Sequence, residues 1–397
     1  VKDFLKNKEK RARPPKGGKK KKRKPLVVVL PAVAVVILAI LGILFKNDIF
    51  KNEDAGLVAA AETAQSAGEE TPTTAPTSEP TTTPSPTATV EPTPTPTPTV
   101  DPDIALDTVV DIPDLGLKTI ILKTLDDSGH AVEGNITVSD MLNLTEICLI
   151  SPEAVAYDEM MVQEENPDAI VSDIVVESLE GLQYAKNLSR LVIVDNEVND
   201  ISALSQTYNL EYVNFEKNNI SDISAFSQHG KITTLILCEN DVEDITALQL
   251  LYRMETLDIS TNPVTDLSPL SGMLSLGSLH INEMNDPDLD VIALLTKLQF
   301  LAASGSEFET KDLALLNDME DLSWLILENN YIGSFQYWEP SDVLEGLWIS
   351  GNSDFIDLSC LTEITSLKEL GLTKTMEKLN PETIETLEKR NCEIVIR

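Results

Sequence analysis

Residues 188–275 fall into four lines of 22: LSRLVIVDNEVNDISALSQTYN from Leu188, LEYVNFEKNNISDISAFSQHGK from Leu210, ITTLILCENDVEDITALQLLYR from Ile232 and METLDISTNPVTDLSPLSGMLS from Met254. The same interval carries on to Leu276 and Leu298, stretches to 24 at Leu322, returns to 22 at Leu344 and takes 23 to Leu367. Upstream, Leu144-x-x-Ile147-x-Leu149 opens an earlier copy. An acidic insertion, Ser151–Ser172, interrupts it, and Val176-x-Ser178-Leu179-x-x-Leu182 resumes it. That makes ten copies, the last truncated. A period of this length implies stacked units, none able to bury a core alone, so both ends of the stack need caps.

The shared spelling is LxxLxLxxNxIxDIxxL, a leucine-rich repeat. LxxLxL is a short strand that turns its apolar residues inward. Asn196, Asn218, Asn240 and Asn262 follow at a fixed offset, where a buried amide can bond the backbone of adjacent turns; Asn330 and Asn352 recover the position. The later apolar residues, such as Ile220 and Ile223, return to the core from the opposite side.

Both caps are visible. Ile112-Pro113-Asp114-Leu115-Gly116-Leu117-x-x-x-Ile121-x-x-x-Leu125 reads as an amphipathic helix with Pro113 in its first turn, and Ile136-Thr137-Val138-Ser139-Asp140-Met141 leads into the first repeat. Pro381–Leu387 reads as a closing helix and Cys392–Ile396 as a closing strand. With the helix, the IT-x-x-D element and the 22-residue period together, residues 110–397 resemble the internalin-type leucine-rich repeat proteins of bacteria. The resemblance implies an α/β solenoid with a curved, right-handed parallel sheet, exported to the cell surface and recognising proteins. Two features depart from that pattern: no C-terminal sorting signal or immunoglobulin-like adapter is present, and the first repeat carries the insertion.

The third, fifth and seventh positions of each LxxLxL-x line point away from the core onto the concave sheet. The third-position column runs Arg190, Tyr212, Thr234, Thr256, Ser278, Phe300, Trp324, Gly346, and the fifth runs Val192, Asn214, Ile236, Asp258, His280, Ala302, Ile326, Trp348. Phe300, Trp324 and Trp348 fall on consecutive strands about 4.8 Å apart, with Ile326 beside them. Clustered exposed aromatics are common anchors of binding sites. The expected ligand-binding set is therefore Phe300, Trp324, Ile326 and Trp348, with Tyr212 and His280. Gly346 and Ser350 as small neighbours would leave the rings accessible. The competing reading is that the irregular 24-residue interval shifts the register and the rings fill the core.

Other candidates are weaker. Asp200, Asp222, Asp244 and Asp266 form a ladder at the repeat period, better suited to capping the DIS/DIT turns than to binding calcium. Asp286-Pro287-Asp288-Leu289-Asp290 is rich in oxygen but lacks the glycine turn and spacing of a calcium loop. Cys148 and Cys238 map to outward positions two or more repeats apart, so with Cys360 and Cys392 they read as free thiols. His130, His229 and His280 have no partner motif for metal or triad chemistry. No phosphate loop, nucleophile elbow or paired-carboxylate signature is present. The expectation is no catalysis, no cofactor and no metal.

Working back to the N-terminus, the charge splits. The chain has 397 residues and a net charge of −35, but residues 1–25 carry +11, and residues 106–397 carry 15 basic against 53 acidic residues, or −38. The acidic bulk disfavours nucleic acid. Leu26–Phe45 is twenty residues without charge, about 30 Å as a helix, and reads as a single-pass transmembrane anchor, with a cleaved signal peptide as the alternative. The basic run Lys19–Lys24 before it places the N-terminus in the cytoplasm and the repeats outside. Thr71–Pro102 holds 10 Pro and 13 Thr in 32 residues, a disordered, extended stalk.

The expected organisation is a basic cytoplasmic tail (1–25), transmembrane helix (26–45), Pro/Thr-rich stalk (46–105), helical cap (106–143), repeats (144–379, insertion 151–172) and C-terminal cap (380–397). The expected function is non-enzymatic recognition of a protein or peptide at a cell surface. Two alternatives remain. Because the sequence opens on Val1, the repeats could be the sensor half of a receptor whose cytoplasmic module, such as a kinase, lies upstream. Otherwise the partner is a cell-wall polysaccharide. The sequence leaves the oligomeric state open.

Overall fold

The computed structural model describes residues 104–157, 166, 169–353 and 356–397, and in it each line of sequence becomes one turn of a solenoid. The N-terminal tail, the candidate span and the stalk lie outside the described residues; among those described, no helix is long and apolar enough to cross a membrane.

The cap helix α1 spans Leu115–Asp127 and buries Leu117, Ile120, Ile121 and Leu125. It starts one step later than the sequence suggests. Asp114 is its N-cap, with Oδ1 accepting from Leu117 N–H at 2.7 Å, so Pro113 stands outside the first turn. The other oxygen of Asp114 accepts from the N–H groups of Glu177 and Ser178 at 2.8 and 3.0 Å, tying the cap to the resumed first repeat. A short helix α2, Val138–Met141, follows behind a capping box of Thr137 and Asp140.

Ten repeat strands follow: β1 (Glu146–Ile150), β3 (Arg190–Val194), β4 (Tyr212–Asn214), β5 (Thr234–Ile236), β6 (Thr256–Asp258), β7 (Ser278–His280), β8 (Phe300–Ala302), β9 (Trp324–Ile326), β10 (Gly346–Trp348) and β11 (Glu369–Leu372). The insertion supplies helix α3 (Pro152–Tyr157) and the two-residue strand β2 (Ile170–Val171) on the outer edge of β1. After β11 come α4 (Lys374–Leu379), the helix α5 (Pro381–Glu388) and the edge strand β12 (Glu393–Ile396). The twelve strands form one parallel sheet in the order β12-β11-β10-β9-β8-β7-β6-β5-β4-β3-β1-β2. Its two edges are blunt, one only two residues long and the other opening on Glu393, which discourages edge-to-edge pairing.

A single apolar core runs from Val110 to Cys392. The asparagine column ties it together. Asn240 Oδ1 accepts from Ile220 N–H at 3.0 Å, while its Nδ2 donates to Phe215 and Leu237 carbonyls at 2.8 and 3.0 Å. Asn218, Asn262, Asn330 and Asn352 repeat the arrangement. Where the column reads Met284 and Ser306, the serine hydroxyl accepts from Met284 N–H instead, at 3.2 Å. Asn380 closes the ladder from outside the repeat, accepting from Leu358 N–H at 3.0 Å.

Opposite the sheet, short 3-10 turns carry the aspartate column. Asp200, Asp222, Asp244 and Asp266 each accept from the N–H two residues on at 2.8 Å, the capping role expected of them. The sheet thus forms one side of the solenoid and the 3-10 turns the other. The extra residues of the 24- and 23-residue intervals are absorbed in the turns. Phe300 still pairs with Trp324, Trp324 with Gly346, and Gly346 with Glu369.

Candidate ligand-binding surface

Because the register holds, the outward residues of β8–β10 lie in rows. Phe300, Ala302, Ile326 and Trp348 form a cluster of their own on the sheet face, separate from the solenoid core, with Trp324 and Val395 against it. The rings therefore do not fill the core; among the tryptophans only Trp338 joins it, 5.4 Å from Phe335. Nor do they stand accessible. Phe300 is 0% exposed, Trp348 2%, Ile326 4% and His280 4%, with Trp324 half-buried. The expectation of an open aromatic anchor is corrected here, and the reason is the small neighbours themselves. A Cβ on Gly346 would fall 2.2 Å from the Trp324 ring, and one on Gly371 2.8 Å from the Trp348 ring. Each indole lies flat over the glycine of the next strand instead of projecting. His280 stacks on Phe300 at 4.8 Å, and Arg397 covers Trp348 with its guanidinium 4.0 Å from the ring.

The other end of the face is covered too, by the insertion. Ala154, Val155 and Ala169 pack over Cys148, Ile150, Val192, Val194 and Tyr212, which all point outward from the sheet. Ser151 bonds Asp195, and the Arg190 guanidinium lies 3.7 Å over the Tyr212 ring while bonding Asn166. Behind this cover a cavity of about 440 Å³ opens between the end of α1 and the first repeat, lined by Asp127, Asn143, Glu146, Cys148, Asn166 and Arg190 among others.

Between the two covered ends lies a half-exposed floor on β4–β6, Thr234, Ile236, Thr256 and Asp258, flanked by Glu216, Cys238 and Asn282 and bordered by Tyr212 where the insertion's cover ends. Of the residues expected at the site, only Tyr212 borders it; Phe300, Trp324, Ile326, Trp348 and His280 belong to the covered end. Ile236 is the residue that sequence reasoning passed over. Its signal was present in the fifth column, an isoleucine between Asn214 and Asp258. The floor is acidic, with Lys217 between Glu216 and Glu239 at 3.9 and 3.8 Å. Burial and the carboxylates of Asp258, Glu216 and Glu239 push the Cys238 thiol well up, so it stays protonated and is a poor nucleophile.

The fold also assembles a serine, a histidine and an aspartate that the sequence keeps apart. Ser278 Oγ is 3.0 Å from His280 Nε2, and His280 Nδ1 is 4.0 Å from Asp258 Oδ2. The relay is incomplete as a nucleophilic site. The second distance exceeds a hydrogen bond, and Asp258 Oδ1 already accepts from Ser260 N–H at 2.9 Å. Ser278 is 4% exposed and commits its N–H to Glu255 in the sheet ladder. Burial holds His280 below its ordinary value, partly opposed by Asp258, so the ring is a neutral acceptor or donor at the border of the covered end. Among the described residues no group of three or more His, Cys, Asp or Glu side chains is placed to hold a metal ion, and Cys238, Cys360 and Cys392 form no disulfide there.

No protein-family model matches the sequence, and no curated protein matches it. Solved structures do. An internalin (inlF) from Listeria monocytogenes superimposes with a TM-score of 0.51 at 22% identity, over 72% of this chain and 88% of that one. The chain has the internalin leucine-rich repeat fold. An internalin C2 (inlC2) from the same organism gives a TM-score of 0.48 at 22% identity, over 72% of this chain and all of the other. The resemblance noted in the cap and the repeat is therefore one of fold.

Proposed function

We propose that the chain is a recognition protein without chemistry of its own, taking a protein or peptide on the sheet face of its solenoid. The observation that carries this is the floor on β4–β6. There Thr234, Ile236 and Asp258 are half-exposed on a rigid sheet, while both flanks of the same face are sealed by the chain itself. An apolar residue set among polar ones on a preformed surface is the arrangement a partner can desolvate. With −38 on residues 106–397, the favoured partner is basic or neutral. In the same proposal Leu26–Phe45 holds the chain in a membrane and Thr71–Pro102 spaces the solenoid from it. Cross-linking through a photoreactive residue decides the matter. Installed at Ile236 of the full chain on intact cells, it should capture a partner protein, and the same group at Ser205, on a turn opposite the sheet, should not. Equal capture at both positions, or capture of glycan alone at Ile236, would sink this reading.

A further inference from the structure

The covered end of the sheet face holds a constellation that neither the core nor the proposed floor requires. Arg397 reaches back from the end of β12 across Trp348, its guanidinium 4.0 Å from the ring, and Nη1 donates to Glu328 Oε2 at 2.9 Å. Glu328 is 7% exposed and lies 69 positions away in sequence. Burial raises its carboxyl above the ordinary value, opposed by the charge of Arg397 and by hydrogen bonds from Ser350 and Arg397. The surroundings are over-supplied with acid: Glu369 and Glu393 face each other across β11 and β12. Burial, then Glu393, raises the Glu369 carboxyl.

A planar cation stacked on an indole and bonded at its edge to a carboxylate is how proteins recognise arginine, and a lysine ammonium cannot satisfy both contacts. Arg397 keeps 24% of its side chain exposed, and its backbone makes one bond, from its N–H to Leu372 at 3.1 Å. The Trp348 cluster is separate from the solenoid core, so the corner can be vacated without opening the repeats.

We propose that Trp348 and Glu328 form an arginine-recognition subsite that Arg397 fills in cis and that an arginine side chain of the partner takes over. This rests on the reading of the sheet face as the binding surface, and it names the partner's chemistry: an exposed arginine placed to reach the C-terminal end of that face.

The test is a titration of the full chain with N-acetyl-argininamide, followed by tryptophan fluorescence. Arg397→Ala removes the guanidinium and clears the face of Trp348; it should bind the probe at least tenfold more tightly than the parent chain. Adding Glu328→Gln to that variant should return the affinity to the parent level, and N-acetyl-lysinamide should bind Arg397→Ala at least fivefold more weakly than the arginine probe. No gain in Arg397→Ala, or an equal gain for the lysine probe, overturns the inference. Should Arg397→Ala melt too low to titrate, Arg397→Lys is used instead, which keeps an ion pair without the planar stack; a threefold gain is then expected, and none overturns it. The probe needs no partner protein, so failure here leaves the cross-linking result at Ile236 standing, and the reverse also holds.

Discussion

At the scale of single residues, the asparagine column shows why the repeat is spelled as it is. One amide at Asn240 satisfies a buried N–H from the preceding turn and two buried carbonyls. Asn240→Ala leaves the Ile220 N–H without a partner in a place water does not reach, while the Phe215 and Leu237 carbonyls keep bonds from Asn218 and Asn262, and should cost about 1–3 kcal/mol in urea unfolding. Asp244→Ala, on an exposed turn, should cost far less. A second buried polar residue makes stability depend on pH. His229 is fully buried, with Nε2 3.0 Å from Leu204 O, and desolvation lowers its pKa from 6.5 to about 4. The native ring resists a proton that the unfolded ring takes up below 6.5. Its contribution is therefore whole above pH 6.5 and lost progressively between 6.5 and 4, by up to about 3 kcal/mol. Urea midpoints at pH 7, 5.5 and 4.5 should fall steeply in the parent chain and much less in His229→Gln. The turn aspartates act lower, because hydrogen bonds from Ser202, Thr246, Ser268 and Ser359 hold Asp200, Asp244, Asp266 and Asp357 beneath their ordinary 3.8, so their share is lost only below that value.

At the scale of elements, strand phase and ring posture have different origins. The LxxLxL spelling places Trp324 and Trp348 on the sheet face, and that much was legible because the period survives its irregular intervals. Whether an indole stands up or lies down depends on the residue beside it in the next strand, 22 or 23 positions later. Gly346 and Gly371 supply the space, a signal visible only when the columns are read across as well as down. Gly346→Ala should lift the Trp324 ring. We expect a loss of about 1–3 kcal/mol, with tryptophan emission shifted to the red as the ring meets water. If emission does not move, the ring does not rest on that glycine. The insertion was legible as a departure but not as a cover. Its contribution to the face comes from Ala154, Val155 and Ala169, small apolar residues in an aperiodic segment, and no repeat predicts which surface such a segment meets. Arg397 was illegible for a similar reason, since it lies beyond the last repeat and its target, Glu328, is set by the path of β12.

At the scale of the whole molecule, charge acts on what neighbouring turns hold together. A solenoid's stability is a sum over turns and the interfaces between them, so no distant contact compensates for repulsion between adjacent repeats. Residues 106–397 carry 53 acidic against 15 basic side chains, and one acidic column, Asp200, Asp222, Asp244 and Asp266, recurs on successive turns, so like charges face each other from repeat to repeat. The pairs that relieve this are mostly exposed, such as Lys297–Asp321 and Lys311–Glu309, and contribute little each. Salt should therefore stabilise this chain: raising sodium chloride from 20 to 500 mM shrinks the screening length from about 20 Å to about 4 Å, less than one strand spacing, and removes most repulsion between successive repeats. Thermal midpoints should rise with salt at pH 7, and should rise less at pH 4.5, where part of the excess carboxylate is protonated. The same screening should slow association with a basic partner by about tenfold or more over that range, since steering by the acidic face is lost. A chain that instead melts lower in salt would be held together by its ion pairs, against their exposure and their number.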